Sequence, residues 1–217
     1  MNRPSYLAIF ILFIFSITPS LVSASSITGG NDVIERSGRD GAHQITFIDL
    51  DHRISGDGWL TGWSFFADYD VPGATSDPRQ VKLKIFRENG ANYDLVGQSD
   101  MVTVSAWDKV YSFSLPNIPV KQNDIIGWYY PEQDWPGGVI SYQSSTGTNT
   151  VWTVWPDPEG EITGSVSKSR FSAGGEGRLY SIRVEGTDVN PVPLPPAMYL
   201  LGSGLMGLAW VRNRFHK

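Results

Sequence analysis

Between Gln44 and Val184, apolar and polar residues alternate in short runs split by Gly, Pro, Asn and Asp. In QVKLKIFRE, Val81, Leu83 and Ile85 fall on one side of an extended chain, and Lys82 and Lys84 on the other. In KVYSFSLP, Val110, Ser112 and Ser114 oppose Tyr111, Phe113 and Leu115. A period of two with one polar face marks antiparallel strands packed on one side. The rhythm predicts strands over Gln44–Leu50, Trp59–Ala67, Gln80–Arg87, Tyr93–Ser99, Met101–Val104, Val110–Leu115, Asp124–Tyr130, Val139–Tyr142, Thr150–Val154 and Arg178–Val184. ENGANYD, Glu88 to Asp94, is a turn between two of them. The Ser/Gly-rich stretch from Glu161 to Arg178 lacks an apolar rhythm and reads as a mobile loop or irregular hairpin. No long helical period interrupts the series. About ten strands predict an all-β fold, an antiparallel β-sandwich of jelly-roll type, with a barrel as the next choice.

Two continuous apolar runs stand outside this rhythm, one near each end. Arg3 precedes the run Tyr6–Ile17; Pro19 and Ser20 break it, and Val22-Ser23-Ala24 offers small residues to a signal peptidase. This is the pattern of a secretory signal peptide cut after Ala24. The run is about a dozen residues, well short of the roughly 20 that span a bilayer. Residues 1–24 are therefore an address. Residues 25–189 are long enough for one domain with its own core. Four prolines, Pro191, Pro193, Pro195 and Pro196, then give an extended segment with few main-chain donors. An apolar run follows from Ala197 to Val211, about 22 Å long as a helix, and Arg212, Arg214 and Lys217 close it. Basic residues at that end stay cytoplasmic and leave the domain outside.

The ordered set Val192, Pro193, Leu194, Pro195, Pro196, Ala197, then Leu200-Leu201-Gly202-Ser203-Gly204-Leu205, then the basic tip, resembles a PEP-CTERM sorting signal. The resemblance covers residues 192–217 only. Val-Pro-Leu-Pro stands in place of Pro-Glu-Pro, and Asn213, Phe215 and His216 dilute the tip. It implies a transmembrane sorting helix and processing by an exosortase, a membrane-embedded cysteine protease or transpeptidase. It also implies a Gram-negative host that makes extracellular polysaccharide. A weaker likeness lies inside the domain. Val120, Asn123, Asp124, Ile125 and Gly127 resemble the closing V-x-x-G-D-x-I-G strand pair of many jelly-roll binding domains, with Asn123 where glycine is usual.

Composition narrows the chemistry. With no cysteine there is no disulfide, thiolate nucleophile or Cys-type zinc site, a pattern commoner in bacterial than in eukaryotic exported chains. Of the 17 Lys and Arg, four lie outside residues 25–189, leaving 13 against 22 Asp and Glu and a net charge of −9. That surface argues against nucleic acid and anionic lipid as partners. The domain has two histidines, His43 and His52, and no Gly-x-Ser-x-Gly elbow. Among Asp49, Asp51, Asp68, Asp70, Glu132 and Asp134, nothing singles out a hydrolytic pair. Asp49, Asp51 and Asp57 lie close in sequence and could hold a structural Ca2+; Asp68 and Asp70 are a thinner second candidate. Ordinary turn chemistry explains the same aspartates.

Aromatic residues give the strongest hint. Seven of eight tryptophans fall in the domain. Trp59 and Trp63, four apart on one strand, are expected on one face. Trp128, Tyr129 and Tyr130 end another strand, and Trp152 and Trp155 follow a third. Rings at strand ends stack on sugar faces at little entropic cost, but they also dominate cores, the alternative for Trp63 and Trp128. Trp135, in EQDWPGG, is the best exposed candidate, with Gln133 and Asp134 to bond hydroxyls and Tyr130 and Trp155 beside it as ligand contacts.

The expected protein is thus non-enzymatic and exported, passing through the inner membrane to the cell surface or matrix, with an interaction module for exopolysaccharide. A polysaccharide-degrading or modifying jelly-roll enzyme, and a matrix protein with protein partners, stay open. N-terminal sequencing of the exported chain is expected to begin at Ser25; retention of Arg3 and the run after it would overturn the signal-peptide assignment.

Overall fold

Where the period of two holds, the chain is extended. The computed structural model describes residues 25–39, 42–68, 78–131, 138–145, 150–153, 161–173 and 177–189. Their strands are β1 (Ser26–Gly30), β2 (Gly38–Arg39), β3 (Ile45–Asp49), β4 (Gly58–Ala67), β5 (Arg79–Asn89), β6 (Asn92–Gln98), β7 (Val102–Val104) and β8 (Lys109–Val120). They continue with β9 (Ile125–Tyr130), β10 (Ser141–Ser144), β11 (Thr150–Thr153), β12 (Ser165–Ser167), β13 (Phe171–Ala173), β14 (Arg178–Tyr180) and β15 (Ile182–Thr187). The described residues contain one 3-10 turn, Lys168–Arg170, and no α-helix. The signal segment and the sorting tail lie outside the described residues.

Every pairing among these strands is antiparallel. One sheet runs β1-β15-β4-β8 and a small one β14-β10-β2. The largest runs β12-β6-β5-β9-β3-β11-β13, with β7 also on β5. The main core is shared between sheets: Leu60, Trp63 and Phe65 of β4, Leu83 and Ile85 of β5, Ile126 and Trp128 of β9, and Ile182 and Val184 of β15 are all buried in it. Phe47 stacks on Trp128 at 5.5 Å, and Tyr180 packs on Trp128 at 4.6 Å, tying the small sheet to the large one.

Four expectations are corrected by this arrangement. The Lys face of β5 is not a solvent face. A second apolar cluster, Ile48, Phe86, Tyr93 and Ile125 with Ile162, Val166 and Phe171, covers the far side of the largest sheet. The stretch 161–173 supplies that cover and is no plain loop: β12 pairs β6 at one edge of the sheet and β13 pairs β11 at the other. The sheet is curled so far that nine residues reach both of its margins.

Trp59 and Trp63 do not share a face. The β4–β8 register shifts between Leu60 and Gly62, so Leu60 joins Trp63 in the core and Trp59 stays half-exposed. A bulge of this kind reverses the alternation. Finally, Arg178–Val184 is two strands. Buried Ser181 breaks it, sending β14 and β15 to different sheets.

The turn between β8 and β9 explains Asn123. Its φ is 71°, a left-handed value that glycine and asparagine adopt most readily. Asp124 closes the turn by accepting from the Lys121 amide at 2.8 Å, and Arg87 grips the same carboxylate through Nε and Nη2.

Lys84 is fully buried, and its ammonium donates to Glu161 at 2.7 Å, to Gln98 Oε1 at 2.9 Å and to the Ile162 carbonyl at 2.7 Å. Burial lowers the Lys84 ammonium and Glu161 opposes that shift. Burial alone would raise the Glu161 carboxyl, but Lys84 and Lys82 outweigh it and hold the group below its ordinary 4.5. A depressed carboxyl contributes stability at pH above its unfolded value and loses it as pH falls through the folded one. Acid unfolding is therefore expected to gain a component below pH 4.5 that Glu161→Gln lacks. In urea at neutral pH, Glu161→Gln is expected to cost about 3 kcal/mol, since it strands a buried charge. Lys84→Met is expected to cost less, because the Glu161 side chain is 25% exposed and rehydrates.

Candidate functional site

A polar cleft of about 400 Å³ opens beside the small sheet, lined by Glu35, Arg36, Ser37, Asp68 and Gln143. Three separate stretches build it. Residues 31–36 have no regular structure and are pinned over the sheet by their main chain. The Asn31 amide donates to the Ile182 carbonyl at 2.7 Å. The Ile34 carbonyl accepts from Ser181 Oγ at 2.6 Å and from Ser141 Oγ at 3.4 Å. Both serines are fully buried. Small hydroxyl residues at these two positions leave room for the crossing segment and satisfy its carbonyl.

Asp68 follows β4. Its amide donates to the Val139 carbonyl at 3.2 Å, and its carbonyl accepts from Arg39 Nη1 at 3.1 Å. Arg39 also lies over the Trp107 ring, 4.8 Å from its centroid. Gln143 is an exposed residue of β10, next to Tyr142, whose ring carries the Arg178 guanidinium at 4.5 Å.

Arg36 is the unusual member. It is only 7% exposed, yet its hydrogen bonding amounts to one 3.3 Å contact from Nη2 to the Asp32 carbonyl. Its Nε is buried with no hydrogen-bond partner among the described residues. Burial lowers its pKa, with Asp32 pulling the other way. An unmet donor on a buried cation costs folding free energy, about 1–3 kcal/mol for an ordinary polar group.

The sequence-predicted site residues fare differently. Tyr130 is fully buried, and its hydroxyl accepts from the Ile140 amide at 3.3 Å, so its ring offers no face to a ligand. Trp63 and Trp128 are core residues. Gln133, Asp134, Trp135 and Trp155 lie outside the described residues, as do Asp70 and the sorting residues Val192 to Ala197, Arg212, Arg214 and Lys217. The cleft itself was not foreseen. Its one sequence signal is Asp68, read there as one of several hydrolytic carboxylates and as a thin metal ligand.

The calcium candidates do not converge. The buried Asp49 carboxylate accepts from the Asp51 and His52 amides at 3.0 and 3.1 Å, from His52 Nδ1 at 2.9 Å and from Asn31 Nδ2 at 3.3 Å. Asp57 instead accepts from the Gln122 amide at 2.7 Å. Among the described residues no group of three His, Cys, Asp or Glu could hold a metal ion. These aspartates cap turns.

Comparison with family models, curated proteins and solved structures finds no match to this chain. No helix among the described residues is long and apolar enough to cross a membrane.

Asp49→Ala is expected to lower stability by about 2 kcal/mol, since several part-buried donors lose their acceptor. Calcium and chelator are each expected to leave the wild-type Tm unchanged; a calcium-dependent rise would restore the metal reading.

Proposed function

We propose that this chain is an exported protein of a Gram-negative bacterium, sorted by an exosortase-type system to the cell surface or extracellular matrix. Its domain is a jelly-roll-like β-sandwich that binds exopolysaccharide in the Arg36–Asp68 cleft without altering it. The export half rests on the signal-like N-terminus and on the proline motif, apolar run and basic tip at the other end. Membrane contact is confined to that final run. The sandwich reading rests on a core lined by two antiparallel sheets.

The observation that carries the binding half is the cleft's chemistry. Guanidinium, carboxylates, hydroxyl and amide line one open depression. That mixture suits a ligand dense in hydroxyls, each both donor and acceptor.

The test uses the exported chain as cells release it, applied to immobilised host exopolysaccharide, with polymer size followed in the same sample. Retention with unchanged polymer size is expected. Loss of retention would overturn glycan binding. A fall in polymer size would replace the binding role with an enzymatic one.

A further inference from the structure

We infer that the cleft selects a neutral sugar unit through adjacent hydroxyls and rejects a uronate. This inference rests on the glycan-binding reading and narrows it to one class of ligand.

The argument is one of charge. Among the described residues that line the cleft, Arg36 is the only cation, and Glu35 and Asp68 are carboxylates. Asp32 lies close enough to act electrostatically on the same guanidinium. A carboxylate ligand seated on Arg36 would share the cleft with those acids, and like charges penalise each other. The domain as a whole carries −9, so a polyanion would also be repelled on approach. A neutral ligand meets neither barrier.

Hydrogen bonding points the same way. Arg36 carries only donors. Glu35 and Asp68 carry acceptors, and Ser37 and Gln143 carry both kinds. A pair of neighbouring hydroxyls can donate to a carboxylate and accept from a guanidinium at once, whereas a carboxylate can only accept. A site of this kind discriminates strongly, because the wrong ligand leaves desolvated groups unmet. The cleft lies in the size range of small-ligand sites, roughly 300–1,000 Å³, which fits a short stretch of a sugar chain.

The experiment measures retention of the exported chain on a neutral glucan and on alginate, a uronate polymer, at low salt and at about 1 M salt, where charge screening acts over about 3 Å. Retention on the neutral polymer, little changed by salt, is expected. Gln143→Ala, at an exposed position, and Arg36→Lys are each expected to weaken it by about tenfold, the loss of one good hydrogen bond. Thermal melts of both variants check folding, and Gln143→Ala keeps the test valid if Arg36→Lys does not fold. Salt-sensitive preference for alginate would overturn this inference and leave glycan binding standing. Neutral binding that Gln143→Ala and a folded Arg36→Lys leave unchanged would overturn the assignment to this cleft. Retention on neither glucan, alginate nor host polymer would overturn glycan binding itself.

Discussion

All six residues of β9, Ile125 to Tyr130, are shut off from water, and a strand buried on both faces needs a cover on each. One cover is the sheet β1-β15-β4-β8, which packs its alternate side chains on Ile126 and Trp128. The other is the short segment from Glu161 to Ala173. It brings few apolar groups, chiefly Ile162, Val166 and Phe171. It holds on through main-chain pairing at both margins of the curled sheet and through Glu161 on Lys84. Polar contacts hold this cover, where burial of apolar area holds the first. A buried ammonium binds tightly only when its acceptors are in place, so the ion pair fixes the segment's position as well as its stability.

Polar burial recurs at the cleft. Ser141 and Ser181 lie at the bottom of the crossing segment and bond its Ile34 carbonyl. The segment then sets Arg36 against Asp68 and Gln143. The rings Trp128, Tyr180 and Tyr142 step outward from the core to the edge of this region. The proposed sugar site thus stands on packed rings and hydrogen-bonded serines.

The antiparallel all-β character was legible because alternation survives wherever one sheet face meets the core, as in Val81, Leu83 and Ile85. The features that escaped are non-local. Lys84 reads as a surface residue in its own strand, and its partner Glu161 is 77 residues away. A bulge sets Trp59 out of phase with Trp63, yet GWLTGW gives no local sign of an extra residue. Ser181 is an unremarkable small residue until two sheets diverge at it. The cleft was missed for a related reason. Arg36 sits in a stretch with no rhythm, and the aromatic pattern points toward strand ends such as Tyr130, which the core claims.

The pairing of β15 between β1 and β4 bears on how the chain is made. An inner strand that comes last in sequence order leaves a gap in its sheet until it arrives. While it is missing, β1 and β4 each have an unpaired side, and β1 has nothing in that sheet to pair with. A chain emerging N-terminus first therefore cannot complete this layer piece by piece. The first strand waits for the last, and the sheet closes in one late step once residues 182–187 are free to enter.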